Sequence, residues 1–194
     1  MGADPPTSLR ERAARYSPAQ RHTIDAALDL FADHGVGGTS FQMIADAVGV
    51  TKAAIYHQFG TKDAIVLAVL EVQLEPLESA LDEAEREGAT LQARETLLGR
   101  VIETVVGNRR ALSTLQRDPV LFRLIEEDEL ARDLFTRLFA VLLGDDVRHH
   151  ARVRAAVLSA AIGAVAHPFV ADIDNDTLRD DLLDLTRKLT FKPG

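Results

Sequence analysis

The stretch of residues 39–62, TSFQMIADAVGVTKAAIYHQFGTK, decides the fold because two short helical patterns flank a single glycine in it. Residues 39–42 have the spacing of a capping box, which begins a helix. Gly49 interrupts that helix after two turns, and Thr51 can cap a second helix over residues 52–57. The stretch therefore predicts a compact pair of short helices joined by a tight turn.

The segment before this pair is also helical. Ser17, Pro18 and Gln20 have the pattern of a capped helix start. The helix that follows is expected to end near His34, because Gly35 comes next. Its apolar positions recur with helical spacing at Ile24, Ala27, Leu28 and Phe31.

Downstream of the pair the sequence stays helical. Thr61 can cap a further helix over residues 64–74, and Pro76 should end or kink it. No segment alternates with a period of two residues, so we predict no β-sheet. Further helical patterns cover residues 90–106, 109–117, 119–126, 128–143, 146–170 and 176–190. The predicted fold class is all-α.

These patterns predict three regions of the chain. Residues 1–16 contain adjacent prolines and several arginines, and we expect a flexible arm there. Residues 17–77 are predicted to form a helix-turn-helix domain, and residues 78–194 a larger helical domain.

The composition excludes several kinds of site. The 194 residues include no cysteine, which rules out disulfides, thiolate metal sites and cysteine nucleophiles. No apolar run is long enough to span a bilayer, and no signal peptide is visible. We therefore expect a cytoplasmic protein that does not contact membranes.

The net charge of −8 argues at first against nucleic acid as a partner. Residues 1–65, however, hold six Lys and Arg against seven Asp and Glu, so most of the excess negative charge lies downstream. Between residues 48 and 61 the only formal charge is that of Lys52. The acidic groups therefore lie away from the predicted helix pair.

The second helix of the pair has the size and polarity that the major groove of DNA accepts. The groove is about 12 Å wide and admits one helix with small or polar residues outside. This helix presents Lys52, Ala53 and Tyr56 outward, and the amino end of the first helix offers free N–H groups to a phosphate. From the pattern alone, a purely structural cluster of helices is an equal alternative to DNA binding.

Two motifs make the interpretation more specific. They are Gly-Val-Thr at residues 49–51 and Tyr-His-x-Phe-x-x-Lys at residues 56–62. With the residues that precede them from Ile24 onward, they resemble the amino-terminal domain of TetR-family transcriptional regulators, without a gap as far as Lys62. The resemblance implies a homodimer that binds double-stranded DNA at a near-palindromic operator.

The resemblance also implies roles for matched positions. The residues expected at phosphates are Thr39, Ser40, Tyr56, His57 and Lys62. Those expected at base edges are Thr51, Lys52 and Ala53, of which Lys52 can donate to guanine and Ala53 can contact a thymine methyl. In the alternative interpretation, Tyr56 is a half-buried core residue, and His57 and Lys62 are solvated surface residues without a contact to DNA. The arginines of the arm either reach the minor groove or form a solvated tail: Arg10, Arg12 and Arg15.

The carboxy-terminal two thirds contain no catalytic motif, so we expect no enzyme activity, no cofactor and no metal site. By the resemblance, the last two helices pair with their copies in the dimer, and the preceding helices enclose an effector site. The last helix has an apolar stripe at Leu178, Leu182, Leu185 and Leu189. His167, beside Pro168 at an expected kink, is the candidate for effector contact.

The sequence therefore favours one function over two alternatives. It favours a repressor that a small, largely apolar effector releases from its operator. The alternatives are a helical small-molecule carrier and a regulator that has no small-molecule effector.

Overall fold

The computed structural model describes residues 6–115, 118–144 and 149–190, so parts of the predicted arm and of the second domain lie outside the described residues. Within these ranges the chain forms helices and no β-strand, which confirms the all-α class. None of the described helices has the length and apolar character needed to cross a membrane. The helices are α1 (Leu9–Ala14), α2 (Pro18–Gly38), α3 (Phe41–Val48), α4 (Lys52–Phe59), α5 (Lys62–Arg86), α6 (Leu91–Gly107), α7 (Arg109–Leu115), α8 (Pro119–Glu127), α9 (Glu129–Leu143), α10 (His149–Gly163) and α11 (Asn175–Thr190).

The chain divides into two compact units. The first unit contains residues 1–76 and 114–132, and the second contains residues 77–113 and 133–194. The change of unit after Pro76 lies beside the boundary that the sequence predicts, but residues 114–132 fall in the first unit rather than the second. Helical periodicity identifies the apolar face of α8 but not the helices that cover it, so this assignment cannot be read from the sequence.

Helix α1 lies in the segment predicted as a flexible arm, and the prediction is wrong for its residues. The hydroxyl of Ser8 accepts a hydrogen bond from the backbone N–H of Glu11 and caps the helix. Leu9 and Ala13, four residues apart on one face, are buried. Because a helix of six residues is unstable alone, this packing holds α1 in place.

Helix α2 begins with the predicted capping box of Ser17 and Gln20. It does not end near His34, because helical structure continues to Gly38. Gly35 interrupts it with φ 70° and ψ 167°, a combination that residues with a Cβ rarely adopt. Gly35 therefore makes a kink inside α2.

Helices α3 and α4 form the predicted helix-turn-helix pair, and α3 packs against both α2 and α4. Gly49 ends α3 with φ 80°, which is a left-handed conformation. Thr51 begins α4, since its Oγ1 accepts a hydrogen bond from the Ala54 N–H at 3.2 Å. The inward apolar residues of the pair are fully buried: Ile44, Ala45 and Ile55.

Helix α5 runs from the first unit into the second without a break in its helical structure. Thr61 caps it as predicted, accepting a hydrogen bond from the Ala64 N–H at 3.1 Å. The helix continues through Pro76, which is exposed. Leu74 and Leu77 on either side of the proline are buried, and their packing offsets the lost backbone hydrogen bond.

In the second unit, α11 packs against α6 and α10. The predicted kink near Pro168 is present, because α10 ends at Gly163 and two short 3-10 turns follow. In the apolar stripe of α11, Leu178 and Leu182 are buried and Leu185 is 56% exposed, whereas the side chain of Leu189 lies outside the described residues. The stripe therefore serves mainly the core of its own unit.

Candidate nucleic-acid interface

The exposed side of α4 brings together four of the eight residues expected at DNA. Lys52, Ala53, Tyr56 and His57 are exposed, while Ile55 on the opposite side is fully buried. A helix of eight residues with one buried anchor leaves its other face available to a groove.

The position of Tyr56 is fixed by an aromatic neighbour. Its ring centroid lies 6.2 Å from that of Phe41 on α3, with the two planes tilted by 59°. The side chain is nevertheless 63% exposed. Tyr56 is therefore a surface residue with a supported ring, and the half-buried alternative does not describe it.

The amino end of α3 is capped by Ser40 rather than Thr39. Ser40 Oγ accepts a hydrogen bond from the Met43 N–H at 3.2 Å and is exposed. The predicted capping box is wrong, because the side chain of Gln42 donates instead to Asp46 at 2.7 Å.

Thr39 is placed inside the unit and is 1% exposed. Its Oγ1 donates to the carbonyl oxygens of Gly35 and Leu30, at 2.9 and 3.2 Å. Gly35 is the residue at which α2 kinks. The side chain therefore completes the fold of the turn, and the expected phosphate contact does not fit its position.

Lys62 also acts on this turn. Its Nζ donates to the carbonyl oxygen of Val36 at 2.8 Å and to that of Thr39 at 3.2 Å. The ammonium group compensates the carbonyl end of α2, where a cation is favourable. The observed contacts of Lys62 therefore stabilise the turn. They do not support the phosphate contact that the resemblance implies for it.

Arg12 of the predicted arm belongs to a partly buried polar cluster. Its guanidinium binds the carboxylate of Asp128 and lies 3.3 Å from that of Glu71. Tyr16 donates its hydroxyl to the same Glu71 carboxylate. Burial raises the pKa of Glu71, although the hydrogen bond from Tyr16 and the charge of Arg12 act in the opposite direction. Arg12 is therefore used inside the first unit, and neither the minor-groove contact nor the solvated tail describes it.

Sequence reasoning missed one residue of the first unit, Asp118. Its Oδ1 accepts from the Val120 N–H at 2.9 Å and caps α8, while its Oδ2 accepts from the Val36 N–H at 3.0 Å. The dipeptide Asp118-Pro119 signals a helix start. No sequence signal connects it with a residue more than eighty positions earlier.

His167 lies in the second unit, between its two short 3-10 turns. Its Nδ1 accepts a hydrogen bond from the Phe169 N–H at 3.2 Å, and both rings are exposed. A small open cleft of about 140 Å³ lies elsewhere, lined by Ala80, Glu83, Ala84, Glu87, Ala93, Thr96, Leu97 and Arg100. Among the described residues, no group of His, Asp and Glu side chains is arranged to hold a metal ion.

Comparison with known proteins concerns mainly the first unit. The family model for bacterial regulatory proteins of the tetR family matches residues 24–69. RutR of Escherichia coli K12 is 35% identical over 83 residues, which are 41% of this chain and 38% of RutR. AcrR of Shigella flexneri is 35% identical over 107 residues, which are 52% of this chain and 48% of AcrR. The chain thus spans about a third to a half of the length of the curated relatives it matches.

Likeness in fold extends over almost the whole chain. NalD of Pseudomonas aeruginosa, the secondary repressor of the MexAB-OprM multidrug efflux pump, superposes with a TM-score of 0.64 at 24% identity, covering 91% of this chain and 98% of NalD. A TetR-like transcriptional regulator from Rhodococcus sp. RHA1 superposes with a TM-score of 0.63 at 25% identity, covering 90% and 97%. The tetR family model matches most of α2, all of α3 and α4 and the start of α5, so this part of the chain is similar to bacterial regulatory proteins of the tetR family.

Proposed function

We propose that the protein is a sequence-specific DNA-binding transcriptional regulator that acts as a repressor. The observation that supports this most is the exposed face of α4, where Lys52, Ala53 and Tyr56 lie together above a fully buried Ile55. This face falls within the match to the tetR family model. A groove-sized helix with one cation and small neighbours suits base edges better than it suits a protein core.

The proposed DNA site is smaller than the sequence predicts. Ser40 and His57 would contact phosphates beside Tyr56, while Thr51, Lys52 and Ala53 would lie at the base edges. Thr39 and Lys62 hold the turn that carries α3 and would act on DNA only through its position. With few base-reading groups on each copy, two copies on a near-palindromic operator would share the recognition.

We propose that α10 and α11 form the homodimer interface. Four large apolar side chains of this part of the second unit are exposed in the single chain: Val153, Val157, Phe169 and Leu185. Exposed apolar residues in this number favour a surface that a partner covers. A second copy is the proposed partner, because a two-fold axis would bring two recognition helices to one face of the DNA.

The proposed signal is a small, largely apolar effector bound by the helical second unit. Such a ligand releases the operator only if it binds the DNA-free state more tightly than the DNA-bound state. FadR of Bacillus subtilis, a fold neighbour at 18% identity, was solved with stearoyl-CoA, which makes that molecule a reasonable first probe. A regulator of this kind acts in the cytoplasm.

The direct test is selection of bound sequences from random DNA by the full-length protein, followed by a mobility shift with the selected site. We expect one near-palindromic sequence to be enriched and its affinity to fall steeply with salt. The double variant Lys52→Ala, Tyr56→Ala should weaken binding by about a hundredfold. Arg100→Ala, which removes an exposed cation of α6 in the second unit, serves as the control and should change affinity less than twofold.

The same assay separates the alternatives. A helical carrier would enrich no sequence, and its ligand binding would not respond to DNA. A regulator without a small-molecule effector would bind the selected site and would stay bound when stearoyl-CoA or small apolar compounds are titrated into the complex. Selection of no sequence, or binding that survives the double variant, would contradict the proposed function.

A further inference from the structure

We propose that Asp118 is a positioning residue for DNA binding, because it holds the turn at residues 35–39 from which α3 begins. This inference rests on the proposed function. The carboxylate of Asp118 lies outside the helix-turn-helix, and in this proposal it fixes the position of the amino end of that motif.

The turn needs such a partner because α2 is interrupted in it. At Gly35 the backbone leaves the helical region, so Val36 begins a new helical segment, and the first N–H groups of a helix need acceptors from outside it. A buried N–H without an acceptor is costly, and the Val36 side chain is fully buried. The Oδ2 atom of Asp118 supplies the acceptor at 3.0 Å.

Several carbonyl oxygens of the turn accept hydrogen bonds from inside the motif. Lys62 donates to the carbonyl oxygens of Val36 and Thr39, and Thr39 donates to that of Gly35. Asp118, by contrast, contacts the turn from the distant segment 114–132. The turn leads directly to Ser40, which caps α3.

Asp118 suits this task because its second oxygen is already fixed. Oδ1 caps α8 by accepting from the Val120 N–H at 2.9 Å, so the carboxylate holds one N–H with each oxygen. The chain belongs to the second unit before residue 114 and again after residue 132. A displacement of this segment would therefore withdraw the acceptor from Val36 and free the turn.

The sharpest variant is Asp118→Asn, which has the same shape but only one acceptor oxygen. Asparagine is a good helix cap, so α8 keeps its start while one of the two N–H groups loses its partner. The matched control is Glu127→Gln, which neutralises an exposed carboxylate on the same helix, away from the turn.

A positioning role and a purely electrostatic role of Asp118 predict opposite changes in DNA affinity for Asp118→Asn. Removing a negative charge near DNA should by itself strengthen binding slightly, as we expect for Glu127→Gln. If Asp118 positions α3, Asp118→Asn should instead weaken affinity for the selected DNA by about tenfold, the effect of one unsatisfied buried donor. Its dependence on salt should stay unchanged, because no phosphate contact is lost.

A second substitution isolates the single hydrogen bond. Val36→Pro removes the N–H itself, and the ψ of 167° at Gly35 suits a residue before proline. In that background Asp118→Asn should change affinity less than twofold. An equal loss in both backgrounds, or binding by Asp118→Asn as tight as that of Glu127→Gln, would overturn the proposal.

Hydrogen exchange of the Val36 amide in the full-length protein without DNA distinguishes this proposal from the proposed function. We expect Asp118→Asn to speed that exchange by about tenfold or more, with Glu127→Gln unchanged. Unchanged exchange in Asp118→Asn would overturn the role of Asp118 even if the protein binds DNA. If the wild-type protein selects no DNA, the proposed function fails, and faster exchange would show that Asp118 holds the turn without serving DNA binding.

Discussion

The exposed face of α4 and the turn at residues 35–39 belong to the same unit but use their polar side chains in opposite ways. On α4, Lys52 and His57 are exposed to solvent. At the turn, the side chains of Thr39 and Lys62 donate to main-chain oxygens beside the kink of α2, those of Gly35 and Val36. The first region keeps polar groups for a partner, whereas the second uses them to hold its own backbone. Substitutions in the two regions should therefore affect different measurements.

The largest effect on stability should come from Gly35. Its φ of 70° and ψ of 167° lie in a region that is almost confined to glycine, so Gly35→Ala should lower the free energy of unfolding by about 2 kcal/mol or more. The measurement is urea unfolding of the full-length protein.

Gly37 provides the control two residues away. A Cβ added there meets no atom within 4 Å, and the residue is helical. Gly37→Ala should raise stability by about 0.5–1 kcal/mol. Equal effects of the two substitutions would show that the kink at Gly35 does not constrain the turn.

The second effect separates two lysines that the sequence assigns alike to DNA. Lys62→Met removes an ammonium group from two carbonyl oxygens and should cost about 1–2 kcal/mol of unfolding free energy. Lys52→Met should leave stability within about 0.5 kcal/mol and weaken DNA affinity about tenfold.

The comparison of these two variants requires unfolding curves and a salt titration of DNA binding. Lys62→Met should keep the wild-type dependence of affinity on salt, since the lysine is not at a phosphate. A reduced salt dependence with unchanged stability would restore the phosphate role that the family resemblance implies for Lys62.

The sequence predicts the helices well because their signals are local. Three such signals are the capping box at Ser17 and Gln20, the glycine at position 49 and the cap at Thr51. Each of them acts on a backbone group no more than four residues away. Propensity and capping depend on such short distances, so a single sequence contains them.

The sequence does not predict which polar side chains turn inward. Thr39 and Ser40 are adjacent and chemically alike, yet only Ser40 caps α3 while Thr39 is buried. The difference arises at the kink of α2, where the carbonyl oxygen of Gly35 accepts a hydrogen bond from the Thr39 hydroxyl. The contacts of Arg12 with Asp128 and of Val36 with Asp118 connect distant segments, and no local pattern encodes them.

A smaller effect tests the exposed face alone. Tyr56→Phe keeps the ring beside Phe41 and removes only the hydroxyl, so stability should not change. If that hydroxyl donates to a phosphate, DNA affinity should fall about fivefold, the value of one ordinary hydrogen bond. Fluorescence anisotropy with the selected site measures it, and Tyr16→Phe is the contrasting variant because its hydroxyl binds Glu71 inside the unit. A loss of affinity for Tyr16→Phe equal to that for Tyr56→Phe would remove the distinction between the two regions.

The smallest effect is on the pH dependence of stability, and it should arise from the buried Glu71 rather than from the exposed face of α4. Burial raises the pKa of Glu71 above its ordinary value of 4.5, so the folded protein retains this proton to higher pH than the unfolded chain does. The contribution of Glu71 to the free energy of unfolding is therefore complete at pH values below its ordinary pKa. It declines as the pH rises from there through the raised pKa of the folded protein. Glu71→Gln, which can still accept the Tyr16 hydroxyl, should flatten this decline in urea unfolding curves recorded from pH 4.5 to 7. Glu83→Gln, an exposed position on the same helix, should keep the wild-type slope. If the slope of Glu71→Gln matches that of the wild type, the carboxylate of Glu71 is ionised as readily in the fold as in water, and the guanidinium of Arg12 rather than burial controls it.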